Sequence, residues 1–172
     1  MDEDTTPRDG DTELVVLRLG HRPGRDERMT THVGLTARAL GADRIILAGA
    51  ATDRGESIAA VTERFGGPFA VETTDDPEGA LADWAGLVVH LTMYGLPIQE
   101  VEAEIREAAL PDNGEPLLVV VGAEKVPFEV YERADWNVAV TNQPHSEVGA
   151  LAVFLDRLFA GRELERDWAD AE

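Results

Sequence analysis

Six short apolar runs, separated by segments with helical spacing, narrow the fold of this chain more than any other feature. The runs are Leu14–Leu19, Arg44–Ala48, Phe69–Thr73, Leu87–Leu91, Leu117–Val121 and Trp136–Val140. Helical periodicity fits Thr31–Leu40, Glu56–Phe65, Pro77–Trp84, Ile98–Ala108, Phe128–Arg133 and Glu147–Phe159. Runs that are apolar throughout, rather than at alternate positions, read as strands covered on both faces. Their interleaving with helices predicts an α/β fold, a mostly parallel six-stranded sheet with helices on both faces. Gly41 and Gly66 stand where helix C-caps belong, and Asp53, Thr74 and Ser146 are the expected N-caps.

A length of 172 residues suits one domain, expected over 13–160, flanked by acidic tails at 1–12 and 161–172. The chain has no cysteine, which removes disulfides and thiolate chemistry and suits a reducing cytoplasm. Met1–Glu13 is acidic and polar, unlike a signal peptide, and no apolar run approaches the roughly 20 residues of a membrane span. The expectation is a soluble, cytoplasmic protein with no membrane partner. The net charge of −19 would ordinarily argue against a polyphosphate ligand. Yet fourteen of the fifteen basic residues are arginine, Lys125 being the only lysine. Such acidity with so little lysine resembles the bias of extreme halophiles. In molar salt the Debye length is about 3 Å, so local contacts outweigh the global charge.

Familiar nucleotide and hydrolase motifs are absent. There is no Gly-x-Gly-x-x-Gly after the first run, no Gly-Lys-Ser/Thr loop and no Gly-x-Ser-x-Gly elbow. His21, His32, His90 and His145 are too scattered for a metal site to be read from spacing, so none is expected. Three strand ends and one basic cluster carry the chemical signal instead. Val140-Thr141-Asn142-Gln143-Pro144-His145-Ser146-Glu147 is a dense polar turn between an apolar run and an amphipathic helix. Ligands of open α/β sheets bind at such strand ends, where backbone N–H and C=O groups converge. The plainer reading is a turn capped by Ser146.

Gly122-Ala123-Glu124-Lys125-Val126-Pro127 follows the most apolar run, with Gly122 permitting close backbone approach. An ordinary strand-to-helix turn is the alternative. Val88–Gly95 is a third strand end, in which His90 could equally be a satisfied core histidine. The 21 positions from Arg18 to Arg38 hold five arginines, those two included, with His21 and His32, against only Asp26 and Glu27. Arg22, Arg25 and Arg28 fall in the loop after the first run, where guanidinium forks could grip phosphates bidentately. Internal ion pairing is the competing reading of that island.

Three blocks together resemble the archaeal tRNA (cytidine-56) 2′-O-methyltransferase family within the knotted SPOUT class. They are Leu17–Arg22 continuing through Arg25–His32, then Gly122–Pro127, then Asn142–Glu147 with the helix beyond. The likeness runs from Leu14 to Phe159 and implies a C-terminal trefoil knot, which periodicity alone does not predict. It implies S-adenosylmethionine as cofactor, held by Leu91, by Gly122, Ala123, Glu124, Lys125 and Val126, and by Val140, Thr141, Asn142, Gln143, Pro144, His145, Ser146 and Glu147. It also implies a homodimer with the tRNA site completed across the interface. The face of the last helix carrying Val148, Leu151, Ala152, Leu155 and Leu158 would serve either that contact or the core.

One departure stands out. Related enzymes often carry an arginine inside the first motif helix, where this chain has Leu35. The catalytic arginine is therefore expected at Arg28 or Arg25, with Arg22 and His32 holding RNA. Arginine is a poor base, so its expected role is to stabilise developing charge on the ribose hydroxyl. Two other functions compete with the transferase: a non-catalytic nucleotide-binding or regulatory α/β domain, and a hydrolase using Ser146 and His145. Adjacent residues at a helix start point apart, which counts against the hydrolase.

Overall fold

The computed structural model describes residues 13–22, 24–109, 114–122 and 126–168. Its strands are β1 (Leu14–Arg18), β2 (Arg44–Ala48), β3 (Ala70–Thr74), β4 (Leu87–Pro97), β5 (Leu117–Val121) and β6 (Trp136–Ala139). They form one sheet in the order β3-β2-β1-β5-β4-β6, and every pairing is parallel. The helices are α1 (Glu27–Ala39), α2 (Thr52–Phe65), α3 (Pro77–Ala82), α4 (Ile98–Ala109), α5 (Phe128–Arg133) and α6 (Glu147–Phe159).

All residues of β1 and β5 are buried, as expected of central strands covered on both sides. Leu14, Val16, Val119 and Val121 face a core built with Val33, Ile58, Ile105, Leu151 and Phe154, so α1, α2, α4 and α6 share that face. Val15, Leu17, Leu118 and Val120 face a smaller core with Leu81 of α3 and Val130 of α5. The chain leaves β1 and β4 toward the larger core and leaves β5 toward the smaller one. Neighbouring strands whose helices depart to opposite faces open a crevice at their carboxyl ends. The end of β5, at Gly122, is flanked by such a crevice on each side.

Several boundaries differ from expectation for local reasons. Helix α1 begins at Glu27 rather than Thr31 because the preceding loop folds directly onto it. The Arg25 and Asp26 amides both donate to the Arg22 carbonyl, at 3.0 and 2.9 Å. Helix α2 begins at Thr52, so Asp53 lies inside its first turn rather than capping it. The cap of α3 is Asp76, which accepts from the Gly79 amide at 3.0 Å, while Thr74 ends β3 and accepts from the Asp76 amide. Ser146 caps α6 as expected, its hydroxyl accepting from the Val148 amide at 3.0 Å.

Strand β4 runs on to Pro97 through a bulge. Leu91 and Leu96 both stand opposite Val138, so Thr92–Gly95 loops out between them. Of the α6 face, Leu151, Leu155 and Leu158 are fully committed to the core, leaving only Val148 and Ala152 half-buried. The expected C-terminal tail is structured through residue 168. Arg162–Glu165 forms a 3-10 turn, and the guanidiniums of Arg38 and Arg166 each stack over Trp168, 4.4 Å from a ring centroid. The expected tail at 1–12 lies outside the described residues.

Candidate active site

At the crevice between β5, β4 and β6 the strand ends enclose a cleft of about 270 Å³. Leu91, Val121, Val138, Val140 and Ala150 supply its apolar wall, and Thr92, Met93, Gly122, Pro144, His145 and Glu147 its rim. The β4 bulge places Thr92 and Met93 there. The Asn142 side-chain amide donates to the Met93 carbonyl, fixing the turn after β6 against the bulge. Gly95 seats that bulge closely: a Cβ on it would lie 2.4 Å from the Asn137 backbone.

On the other side of β5, toward β1, lies a second, more polar cleft of about 470 Å³. It is lined by Arg18, Gly20, His21, Arg22, Arg25, Asp26, Met29, Gly122 and Glu147. Arg22 closes onto Asp26, with Nη2 donating to Oδ1 at 2.9 Å and Nε to Oδ2 at 3.1 Å. That hydrogen-bonded guanidinium holds the Asp26 carboxyl down at about 2. The island is thus partly paired internally, while Arg25 and Arg28 are exposed.

Arg18 is the buried member. Its Nε donates to Glu147 Oε1 at 2.7 Å and its Nη2 to Oε2 at 3.1 Å, a bidentate pair spanning 129 positions of sequence. Its Nη1 donates to the Gly20 carbonyl at 2.6 Å and to the Thr30 hydroxyl at 2.8 Å. Thr30 Oγ1 also lies 2.7 Å from His21 Nδ1. A hydroxyl accepting from Arg18 can donate its own proton to that nitrogen in the tautomer that carries the His21 proton on Nε2. This Nε2 is buried without a hydrogen-bond partner among the described residues, 3.7 Å from Glu27 Oε1.

Of the expected cofactor residues, the first cleft brings together Leu91, Gly122, Val140, Pro144, His145 and Glu147. Thr141, Asn142, Gln143 and Ser146 lie in the same exposed turn but outside the lining. Val126 packs toward the smaller core. Ala123, Glu124 and Lys125 lie outside the described residues. Arg22 and Arg25 line the second cleft, whereas Arg28 lies on the exposed side of the first turn of α1. His32 stands apart, beside Leu35, Thr36, Ala39, Leu40 and Ala152 in a shallow groove of about 320 Å³ between α1 and α6.

His90 is the core histidine that the plainer reading anticipated. It is buried, its Nδ1 is 2.9 Å from Asn137 Oδ1, and its ring meets Tyr131 edge-on at 4.8 Å. Burial pushes its pKa down, which favours the neutral ring. Arg18 was not singled out as a site residue in the sequence. Its signal is there nonetheless, as the one charged residue in an otherwise apolar run, where it requires a buried partner.

Comparison with known proteins gives the family and the fold. The family model described as tRNA ribose 2′-O-methyltransferase, aTrm56, matches residues 65–172. A tRNA (cytidine(56)-2′-O)-methyltransferase of Haloarcula marismortui is 68% identical over 93% of this chain and 87% of its own. One from Natronomonas pharaonis is 68% identical over 95% and 89%, and one from Thermococcus kodakarensis 54% over 92% and 89%. Among solved structures, the A. aeolicus TrmH/SpoU tRNA modifying enzyme superposes with a TM-score of 0.62 at 17% identity, covering 95% of this chain and 81% of that one. The SpoU methyltransferase AviRb from Streptomyces viridochromogenes, in complex with AdoMet, gives 0.59 at 16%, covering 94% and 62%. These two likenesses concern the fold. On the sequence matches, the chain belongs to the aTrm56 family of tRNA ribose 2′-O-methyltransferases.

Proposed function

We propose that this protein methylates the ribose 2′-hydroxyl of cytidine 56 in tRNA, using S-adenosylmethionine. The observation that carries the reading is 68% identity, over nearly the whole chain, to proteins named for that reaction. The geometry fits it. One apolar cleft and one arginine-lined cleft meet at the end of β5, as a donor site and an RNA site must.

Leu91, Val121, Val138 and Val140 suit a flat heterocycle, and the polar rim suits its hydrogen-bonding groups. Leu91, Gly122, Val140 and the turn through Glu147 would hold S-adenosylmethionine. When bound, it supplies an electrophilic methyl group. The protein's task is then positioning. Arg25, exposed at the rim of the second cleft, stabilises charge growing on the ribose oxygen or the adjacent phosphate, with Arg28 one helical turn further out. Arg22, ordered by Asp26 at the wall of the second cleft, would contact the RNA backbone, and His32 would extend that surface along α1. Recognition by shape and 2′-hydroxyl contacts suits a protein with few basic residues.

The knotted path of the SPOUT class, a homodimer and a cytoplasmic location belong to the same proposal. For the knot, the supporting features are β5 lying between β1 and β4, and α6 returning to pack against α1 and α4. For the dimer, they are the α1–α6 groove and the half-exposed Val153 beside it. Light scattering should give twice the chain mass, and a monomer would overturn that element. No helix among the described residues is long and apolar enough to cross a membrane.

The test is incubation with labelled S-adenosylmethionine and unmodified tRNA in molar salt, followed by nucleoside mapping. 2′-O-methylcytidine at position 56 is expected. Label on a base, at another ribose or on no RNA would overturn the reading.

A further inference from the structure

Among the described residues, the two clefts share Gly122 and Glu147 in their linings. If one cleft holds the methyl donor and the other the ribose, the transferred group passes where those residues stand. The Glu147 side chain there is largely enclosed, and its partner Arg18 is 4% exposed. Both carboxylate oxygens are taken by Arg18, and the guanidinium is further fixed by the Gly20 carbonyl and the Thr30 hydroxyl. Gly122 completes the assembly. A Cβ there would lie 2.7 Å from Glu147 Oε2, so the absence of a side chain is what lets the carboxylate lie across the end of β5.

Arg18 therefore has little capacity left to bind RNA itself. Its hydrogen bonds tie three separate pieces together: the first residues of the arginine loop, the start of α1, and the start of α6 just after the turn that rims the donor cleft. Resting on the function proposed above, we propose that Arg18, acting through Glu147, is a positioning residue for methyl transfer. The pair holds the shared wall so that donor and ribose meet in line. Being buried, it is screened far less by salt than the exposed arginines beside it.

Three variants test this: Arg18→Lys, which keeps the charge but not the two-pronged geometry; Glu147→Gln, which keeps the shape but not the charge; and Gly122→Ala, which keeps both charges and displaces the carboxylate. Each is compared with wild type for kcat, KM, calorimetric binding of S-adenosylmethionine, tRNA binding without cofactor, and thermal unfolding, all in molar KCl. A misalignment of about 1 Å is expected to lower kcat roughly 100-fold, with both binding affinities changing far less. Wild-type kcat in Arg18→Lys and Gly122→Ala, with or without a lower Tm, would make the pair purely structural and overturn the proposal. So would a fall in kcat matched by an equal loss of cofactor affinity. Should the first two variants fail to fold, Gly122→Ala decides alone. A wild-type protein that methylates no tRNA would instead sink the function on which the proposal rests.

Discussion

Arg25 and Arg28 sit three positions apart yet face different surroundings. Arg25 opens onto the polar cleft, whereas Arg28 stands on the outer side of α1. Arg25→Ala is therefore expected to lower kcat by about 10²-fold or more while calorimetric binding of S-adenosylmethionine is unchanged. Arg28→Ala should chiefly raise KM for tRNA. Loss of kcat in Arg28→Ala alone would transfer the charge-stabilising role to that residue. A second prediction concerns Glu163, buried beside Gly41 and Phe159 with its carboxylate pushed up to about 7 by burial and by Asp156. The folded state holds this proton more tightly than the unfolded chain, so the contribution to stability is complete below the ordinary carboxylate range. It is lost as pH rises toward 7. Glu163→Gln should raise Tm at pH 8 by a few degrees and flatten its dependence between pH 5 and 7, as followed by thermal unfolding.

At the scale of elements, the β4 bulge couples the sheet to the apolar cleft. Gly95→Ala would bring a methyl group against the Asn137 and Val138 backbone, which no rotamer change can relieve. A loss of about 1–3 kcal/mol in denaturant unfolding is expected, together with weaker cofactor binding. Wild-type values for both would show that the bulge adapts freely. The bulge also shows where sequence stops being legible. The cores of β2 and β5 lie where continuous apolar runs put them, because a strand buried on both faces admits little else. Thr92–Gly95 reads as a plain turn, since nothing local says that Leu96 returns to pair with the strand it left. The start of α1 was hidden because Glu27, Arg28 and Thr30 are polar and give no apolar stripe. The strand ends that line the two clefts were visible as polar breaks after apolar runs. The Arg18–Glu147 pair joining them was not, because its partners are distant in sequence and meet only through the topology. Likewise, the acidic composition after Gly161 concealed that Trp168 fills the space left by Gly67, whose absent Cβ would lie 2.7 Å from the indole.

For the whole molecule, a net charge of −19 makes the compact state repel itself in dilute buffer. Raising KCl from about 0.1 M to about 2 M shortens the Debye length from about 10 Å to below 3 Å. It should raise Tm continuously in a calorimetric titration, and a flat or falling curve would contradict this account. The strand order carries a different consequence, for biosynthesis. Strand β1 leaves the ribosome early and pairs with β2, yet its other edge belongs to β5, made about a hundred residues later. At typical elongation rates of about 5–20 residues per second, that apolar edge waits for on the order of 5–20 s. An emerging chain would therefore expose an open, sticky strand until β5 has been synthesised. The N-terminal strands and helices should not fold in isolation, and rapid production is expected to favour aggregates joined along β1.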